Sequence, residues 1–216
     1  MNQILKTERT RARRVHERAS YERQTIDAIL DAGLICHVGY VIDGAPYVTP
    51  TIYWREGDHV YWHGSSASRM LRRSEAAQVC LTVSLLDGLV LARSAFHHSA
   101  NYRAVMLFGA AEKVSDPARV TAHLESFVNG LYPGRWDQLR PMNAQELKAT
   151  TLLRLKIEEA SAKLRAGPPK DDEEDYALDI WAGVLPLRIV ADPPVPDPRN
   201  KPGMEPPASL ADFALG

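Results

Sequence analysis

The spacing of apolar positions changes along the chain, and each change marks a predicted element. Tyr21, Ile26, Ile29 and Leu30 recur at near-helical intervals, and Gly33 can stop a helix, so a helix is expected over about 20–32. Leu34 to Val41 is an apolar run rich in β-branched residues, and Asp43-Gly44 is a strong hairpin signal. Tyr47 to Trp54 returns as a second strand. Pro50 within it predicts a bulge or an edge position, because proline cannot donate to a ladder. Gly57-Asp58 turns the chain into a third strand, His59 to His63, and a short helix is expected over 65–74. Gln78 to Leu85 and Leu89 to Ser94 read as a hairpin around Asp87-Gly88. Tyr102 to Val114 reads as a long strand in which Gly109 marks a kink or a close backbone approach.

The second half is punctuated more sharply. Asp116-Pro117 supplies an N-cap followed by proline at the first helical position, and Val120, Leu124, Phe127, Val128 and Leu131 repeat at helical spacing up to Pro133-Gly134. Ala144 to Ala149 suggests a short helical piece. Leu153, Leu155 and Ile157 alternate with Arg154, Lys156 and Glu158, as in a strand with one wet face. Trp181 to Val190 has room for a last helical turn and strand. Antiparallel hairpins with a few flanking helices predict a mainly β domain, a small barrel with helices packed outside it. Exposed edges or a gaping mouth in such a barrel are commonly closed by a second chain.

The segments on either side of this pattern differ from it. Residues 1–19 form a basic arm: from Lys6 to Arg23 there are seven basic residues against three acidic ones. A solvated helix face explains this, as does an arm that meets an anionic partner or another subunit. Residues 191–216 form a proline-rich tail, with seven of the fifteen prolines between 192 and 207. Such a segment builds no ladder and runs extended over a surface or around a partner. The domain proper is expected over 20–190.

Composition narrows the class without naming a ligand. The chain has 216 residues, 45% hydrophobic and 25% charged, with a formal net charge of −1, so no global field draws it to nucleic acid or membrane. Its two cysteines, Cys36 and Cys80, lie in apolar runs, which disfavours a disulfide scaffold or a cysteine zinc site. The first residues show no apolar core of signal-peptide length and no window suits a membrane span, so a soluble, cytoplasmic protein is expected. There is no GxSxG elbow, HExxH pair, Walker loop or strand-borne GxGxxG, and no interleaved basic and aromatic stripe for RNA.

Two segments carry candidate chemistry. In Val60-Tyr-Trp-His-Gly-Ser-Ser-Ala-Ser-Arg69, a strand ends at His63, Gly64 permits close approach, Ser65 and Ser66 can cap a helix, and Arg69 lies on its first turn. Free N–H groups, hydroxyls and a guanidinium would suit an anion there. A plain capped helix with a surface arginine explains the same residues. In Ala92 to Arg103, Ser99, Asn101, Tyr102 and Arg103 form a donor cluster near a ligand or subunit contact, unless the stretch is only a solvent-facing connection. The adjacent His97 and His98 point to opposite faces if extended, and no third ligand completes a metal site. Trp54, Trp62 and Trp181 are core candidates, although an apolar slot with a few donors also suits a flat aromatic cofactor.

These residues together resemble the pyridoxamine 5′-phosphate oxidase-related FMN-binding split β-barrel proteins, in the branch that includes the nitroimidazole-resistance proteins. The resemblance lies in Cys36 to Pro50, Val60 to Arg69, His98 to Val105, Phe108-Gly109, Glu159 to Pro169 and Trp181 to Leu187, and covers about residues 20–190. It implies a six-stranded, Greek-key-like antiparallel barrel and a homodimer with FMN at the subunit interface. It places the phosphate on His63, Gly64, Ser65, Ser66 and Arg69, and the isoalloxazine along Val48, Thr49, Pro50 and Thr51. Ser99, Asn101, Tyr102 and Arg103 would approach the cofactor across the interface, and Trp181 would cover the flavin from the partner chain. His63 matches a histidine that lies near flavin and substrate in that branch, either as a proton or hydrogen-bond donor or as a plain contact. The second basic set that would hold pyridoxamine phosphate is not placed. An FMN-dependent oxidoreductase acting on a small organic acceptor is therefore expected. The alternatives are a flavin-binding or sensing protein without turnover, and the same barrel carrying haem or a deazaflavin.

Overall fold

The computed structural model describes residues 3–210 and Phe213. Helix α1 (Arg23–Ala32) begins three residues later than the apolar spacing suggests, because Ala19–Ser20 pairs as strand β1. Its buried Ile26, Ile29 and Leu30 form one stripe against the core. Strands β2 (Ile35–Ile42) and β3 (Ala45–Ile52) meet at Asp43-Gly44, both with positive φ (50° and 81°), the conformation a tight hairpin needs. Pro50 does not interrupt β3. It is tolerated because β3 is an edge strand, bonded only to β2.

The chain then crosses to a second sheet with β4 (Trp54–Glu56) and β5 (His59–Ser65), followed by helix α2 (Arg69–Ser74). Strand β6 (Gln78–Leu91) replaces the hairpin expected around Asp87-Gly88. It is one strand with a bulge between Leu86 and Gly88. Gly88 serves close approach rather than a turn, since a Cβ there would lie 3.0 Å from the Leu185 carbonyl oxygen on the neighbouring strand. Strand β7 (Ser99–Ala110) follows, and β8 (Glu112–Lys113) pairs in the second sheet. The close approach expected at Gly109 is present: a Cβ there would come within 2.9 Å of Leu155 Cδ1.

Helix α3 (Pro117–Leu131) starts where the cap predicts, with Asp116 Oδ1 accepting from Ala118 N at 3.0 Å. Helix α4 (Ala144–Ala149) carries an Asn143–Glu146 capping box. Strand β9 (Thr150–Lys156) buries Leu152, Leu153 and Leu155. Strand β10 (Glu159–Arg165) places the small Ala160 and Ala162 on its buried face, with Leu164 partly buried at its end, which left it without a readable hydrophobic period. Strand β11 (Gly183–Pro186) completes the chain's last sheet segment.

The strands form two antiparallel sheets rather than one closed six-stranded barrel. The larger runs β1-β10-β7-β6-β2-β3, with β11 on the far half of β6, and the smaller runs β4-β5-β9-β8. The core lies between them, around the fully buried Trp62, Leu81, Val105, Leu107 and Leu153. A second cluster of Tyr61, Val120, Leu124 and Leu152 packs α3 on the other face of the smaller sheet. The outer face of the larger sheet has no such cover. By the alternation of the pleat it carries Ile35, Val41, Val48, Leu86, Leu89, Met106 and Leu185, all exposed. No helix among the described residues is long and apolar enough to cross a membrane.

Residues 3–18 form no α-helix; they lie along the β10 side, where Thr7 and Arg9 bond the Glu159 carboxylate and the Arg9 guanidinium stands 5.3 Å from the Phe108 ring centroid. Residues 191–207 run without regular structure, as their prolines dictate. Residues 211, 212 and 214–216 of the tail, and 1–2 of the arm, lie outside the described set.

Candidate functional site

The turn from His63 to Arg69 forms where β5 leaves the smaller sheet. Strand β5 runs two residues further than expected because Gly64 and Ser65 stay in register with Thr151 and Thr150. This changes the roles of the two serines. The cap of α2 is Ser68, whose Oγ accepts from Leu71 N, not Ser65 or Ser66. Three consecutive backbone donors of the turn are also committed. Ser66 N bonds the Ala149 carbonyl at 2.8 Å, Ala67 N bonds Ser65 Oγ at 3.2 Å, and Ser68 N bonds the Ser65 carbonyl at 2.8 Å. What the turn offers an anion is hydroxyls and guanidinium groups, not a row of free N–H groups.

Arg69 is exposed, and its guanidinium stands over the Tyr47 ring of β3 at 4.8 Å. Among the described residues, no carboxylate pairs with Arg69, Arg72 or Arg73. Three arginines without a counter-ion on one short helix form a local cationic patch in a chain that is nearly neutral overall. The stacked Tyr47 ties that patch to β3, the strand carrying Val48, Thr49, Pro50 and Thr51. Thr49 Oγ1 lies 3.0 Å from the Tyr40 hydroxyl, while Val48 is 66% exposed on the uncovered face. The second edge of β3 is unpaired, so its backbone groups are available to a ligand.

The imidazole of His63 leaves β5 on the same face as Tyr61, toward α3. It packs edge-on to Trp54, with ring centroids 5.8 Å apart, and against Phe127 at 5.5 Å. Its Nδ1 is buried without a hydrogen-bond partner among the described residues. This burial pushes its pKa below the usual histidine value, so the ring is neutral at pH 7. Cys36 is sealed in the core, where burial pushes its thiol up to about 12, and so supplies no thiolate.

The second predicted cluster sits at the other end of the larger sheet. Thr49 pairs with Val38, which pairs with Leu81 on β6, whereas Asn101 pairs with Gly88 of the same strand. Seven residues of strand put the two clusters about 20 Å apart along one chain. Within the second cluster, Asn101 Nδ2 donates to the Gly167 carbonyl at 3.1 Å, and its Oδ1 accepts from Arg165. Arg103 is held by both oxygens of Asp87, the nearest at 2.9 Å. These two side chains are therefore committed within the chain. Ser99 is exposed and Tyr102 half-buried. Trp181 joins this cluster: its ring lies over Gly183, where a Cβ would come within 2.8 Å, and Gly183 pairs with Leu91. Trp181 is itself 71% exposed.

Sequence reasoning passed over Arg72, Arg73 and Tyr47. The RMLRR run was the available signal, since residues three and four apart share a helix face. Trp54 and Phe127 were singled out separately, and the packing of α3 on β5 is what brings them together around His63.

Two antiparallel sheets, one face covered by helices and one bare, with a cationic turn beside a free strand edge, define a split-barrel protein. The chain belongs to the pyridoxamine 5′-phosphate oxidase family, whose model matches residues 22–164. Its structure is similar to that of the flavocytochrome Anf3 from Azotobacter vinelandii, with 53% identity, a TM-score of 0.94, and 97% of this chain and 98% of that chain covered. It is also similar to an FAD- and haem-binding protein from Mycobacterium smegmatis, with 35% identity, a TM-score of 0.87, and 92% and 98% covered. A candidate 5-nitroimidazole antibiotic resistance protein from Bacteroides thetaiotaomicron shares the fold at 21% identity, a TM-score of 0.55, and 67% and 85% coverage. Among curated proteins, none matches the chain.

Proposed function

We propose that the protein is a homodimeric flavoprotein that passes electrons or hydride from a reduced flavin to a small organic acceptor, with haem as a second cofactor. The observation that carries the reading is the Arg69 turn, a guanidinium patch without counter-ions beside a free strand edge. That donor set fits a flavin phosphate, a dianion, with the ring laid along β3. FMN, with its single phosphate, is the first reading for this turn. The relative that binds FAD makes the dinucleotide the second reading, since FAD contains the same FMN moiety. Haem enters because two relatives that match nearly the whole chain are a flavocytochrome and an FAD- and haem-binding protein.

The homodimer rests on two observations. The outer face of the larger sheet is apolar and bare, with Val41, Val48, Leu86, Met106 and Leu185 exposed, as a subunit interface requires. The two candidate clusters also lie too far apart in one chain for one flavin to touch both. A second copy across the bare face is the occupant that would bring Ser99, Tyr102 and Trp181 to the partner's Arg69 turn. A cytoplasmic location belongs to the same reading.

When bound, a flavin supplies the electron and hydride transfer, and the protein supplies binding and orientation. Arg69, with Arg72 and Arg73 nearby, would neutralise the phosphate. The hydroxyls of Ser65 and Ser66 would complete its shell, and the β3 backbone would hold the ring's polar edge. His63, kept neutral by burial, would act as a hydrogen-bonding imidazole rather than as a standing cation. Reduction of the purified protein with NAD(P)H or dithionite, followed by a panel of quinone and nitro acceptors, tests the activity. Acceptor-dependent reoxidation faster than reoxidation by oxygen supports it, and reoxidation by oxygen alone refutes it.

A further inference from the structure

Seven histidines offer candidate iron ligands if the protein carries haem. An axial imidazole needs one ring nitrogen free and accessible, the other held by an acceptor that fixes the tautomer, and an apolar surface beside it. We infer that His98 is an axial ligand of the haem iron through Nε2, an assignment that rests on the flavin-and-haem reading above.

The geometry separates His98 from the rest. Its Nδ1 lies 2.8 Å from the Ser94 carbonyl oxygen, which can only accept, so Nδ1 carries the proton and Nε2 presents its lone pair. The residue is exposed, and no protein group occupies Nε2 among the described residues. His97 has Nε2 held by the Asp172 carboxylate at 3.3 Å, but its side chain is only 21% exposed and the Phe96 ring packs on it at 5.1 Å, so its ring is less accessible than that of His98. His123 bonds Glu56 through Nδ1 at 2.9 Å, but its ring is largely buried and lies 4.4 Å from that of Tyr61. His63 has a buried Nδ1 with nothing to orient it. His59 has no ring nitrogen held by the chain among the described residues, and burial is the main cause that pushes its pKa down. His16 and His37 have no ring nitrogen held by the chain among the described residues.

The surroundings of His98 suit a flat apolar macrocycle. Ser99 pairs with Val90, and Val90 with Val184, so His98 falls at the register position of Leu91 and Gly183, and the Trp181 ring lies over Gly183. Phe96 is 88% exposed two residues before it, and Leu89 lies exposed on the same sheet face as Leu91. Exposed aromatic and leucine side chains at this end of the sheet offer a surface that a porphyrin face would cover. The segment is also anchored, as a metal ligand's backbone must be. Arg93 bonds the buried Asp171 through both its backbone N (2.9 Å) and Nη1 (3.0 Å), and Tyr176 stacks on its guanidinium at 4.9 Å.

The test uses the full-length protein, stripped of cofactor and titrated with ferric haem b, read by the Soret band and by electron paramagnetic resonance. Wild type is expected to bind with a histidine-ligated spectrum. His98→Ala is expected to bind more than about 100-fold more weakly, beyond what loss of an outer-shell partner costs. Added imidazole should restore the wild-type spectrum in His98→Ala by filling the vacated position. Flavin uptake by His98→Ala, measured in parallel, reports that the variant is folded. An unchanged Soret maximum and affinity in folded His98→Ala, with loss of the histidine signature in His63→Ala instead, would overturn the assignment while leaving the haem reading intact. Failure of wild type itself to bind haem would overturn both.

Discussion

Replacing Arg69 by alanine should separate ligand binding from folding, because the only partner the described residues give this side chain is the exposed-site cation–π contact with Tyr47. Arg69 is exposed, forms no ion pair among the described residues, and touches its own chain chiefly through the Tyr47 ring. The thermal midpoint should therefore move little, within the ±0.5 kcal/mol typical of such surface positions. Flavin binding should respond strongly. A charge-assisted bond to phosphate is worth about 1.5–3 kcal/mol, and Arg72 and Arg73 remain to supply part of the field. A net loss of about 2–3 kcal/mol converts to a roughly 30- to 150-fold rise in Kd. Arg69→Lys keeps the charge but loses the planar fork, and should fall between the two. Fluorescence quenching of added FMN by the stripped protein measures all three. Equal affinity for wild type and Arg69→Ala, with both folded, would refute the placement of the phosphate.

Other substitutions probe the frame around the site. Gly33→Ala would put a Cβ 2.6 Å from the Tyr53 hydroxyl, which donates to the Leu30 carbonyl, and should cost about 1–3 kcal/mol in urea denaturation; an unchanged midpoint would show that the contact relaxes freely. Leu107→Ala, in the fully buried core, should cost about 2–5 kcal/mol by the same assay. Met106→Lys on the bare sheet face should give a folded monomer by light scattering that binds flavin weakly, whereas a dimer of unchanged affinity would place the interface elsewhere. His63 is held neutral in the fold, so the unfolded chain takes up its proton first. Stability should be full above about pH 6.5 and fall as pH drops through that value toward the lower folded pKa. His63→Gln should flatten that slope between pH 7 and 5, and an unchanged slope would assign the acid sensitivity to other groups.

Much of this architecture was legible because local chemistry and tertiary structure agree. Asp43-Gly44, Asp116-Pro117 and the Asn143–Glu146 box act where they stand, through backbone conformation and capping. The failures came where a long-range contact decided the outcome. Asp87-Gly88 has turn chemistry, but β11 packs against Gly88 and Asp87 accepts from Arg103, so the strand continues through a bulge. Strand β10 could not be read, because Ala160 and Ala162 bury small side chains that set no hydrophobic period. The residues of the Arg69 turn were visible in the sequence. The spending of its N–H groups on Ala149 and Ser65 was not, since it depends on the register of β5 with β9.

The absorption spectrum of the purified full-length protein, followed by acid release and chromatography of whatever it holds, tests the central claim most directly. The account predicts a coloured protein with flavin bands and a Soret band, and a released flavin that leaves one phosphate-bearing isoalloxazine per chain. A colourless protein that takes up neither added FMN, FAD nor haem would contradict it.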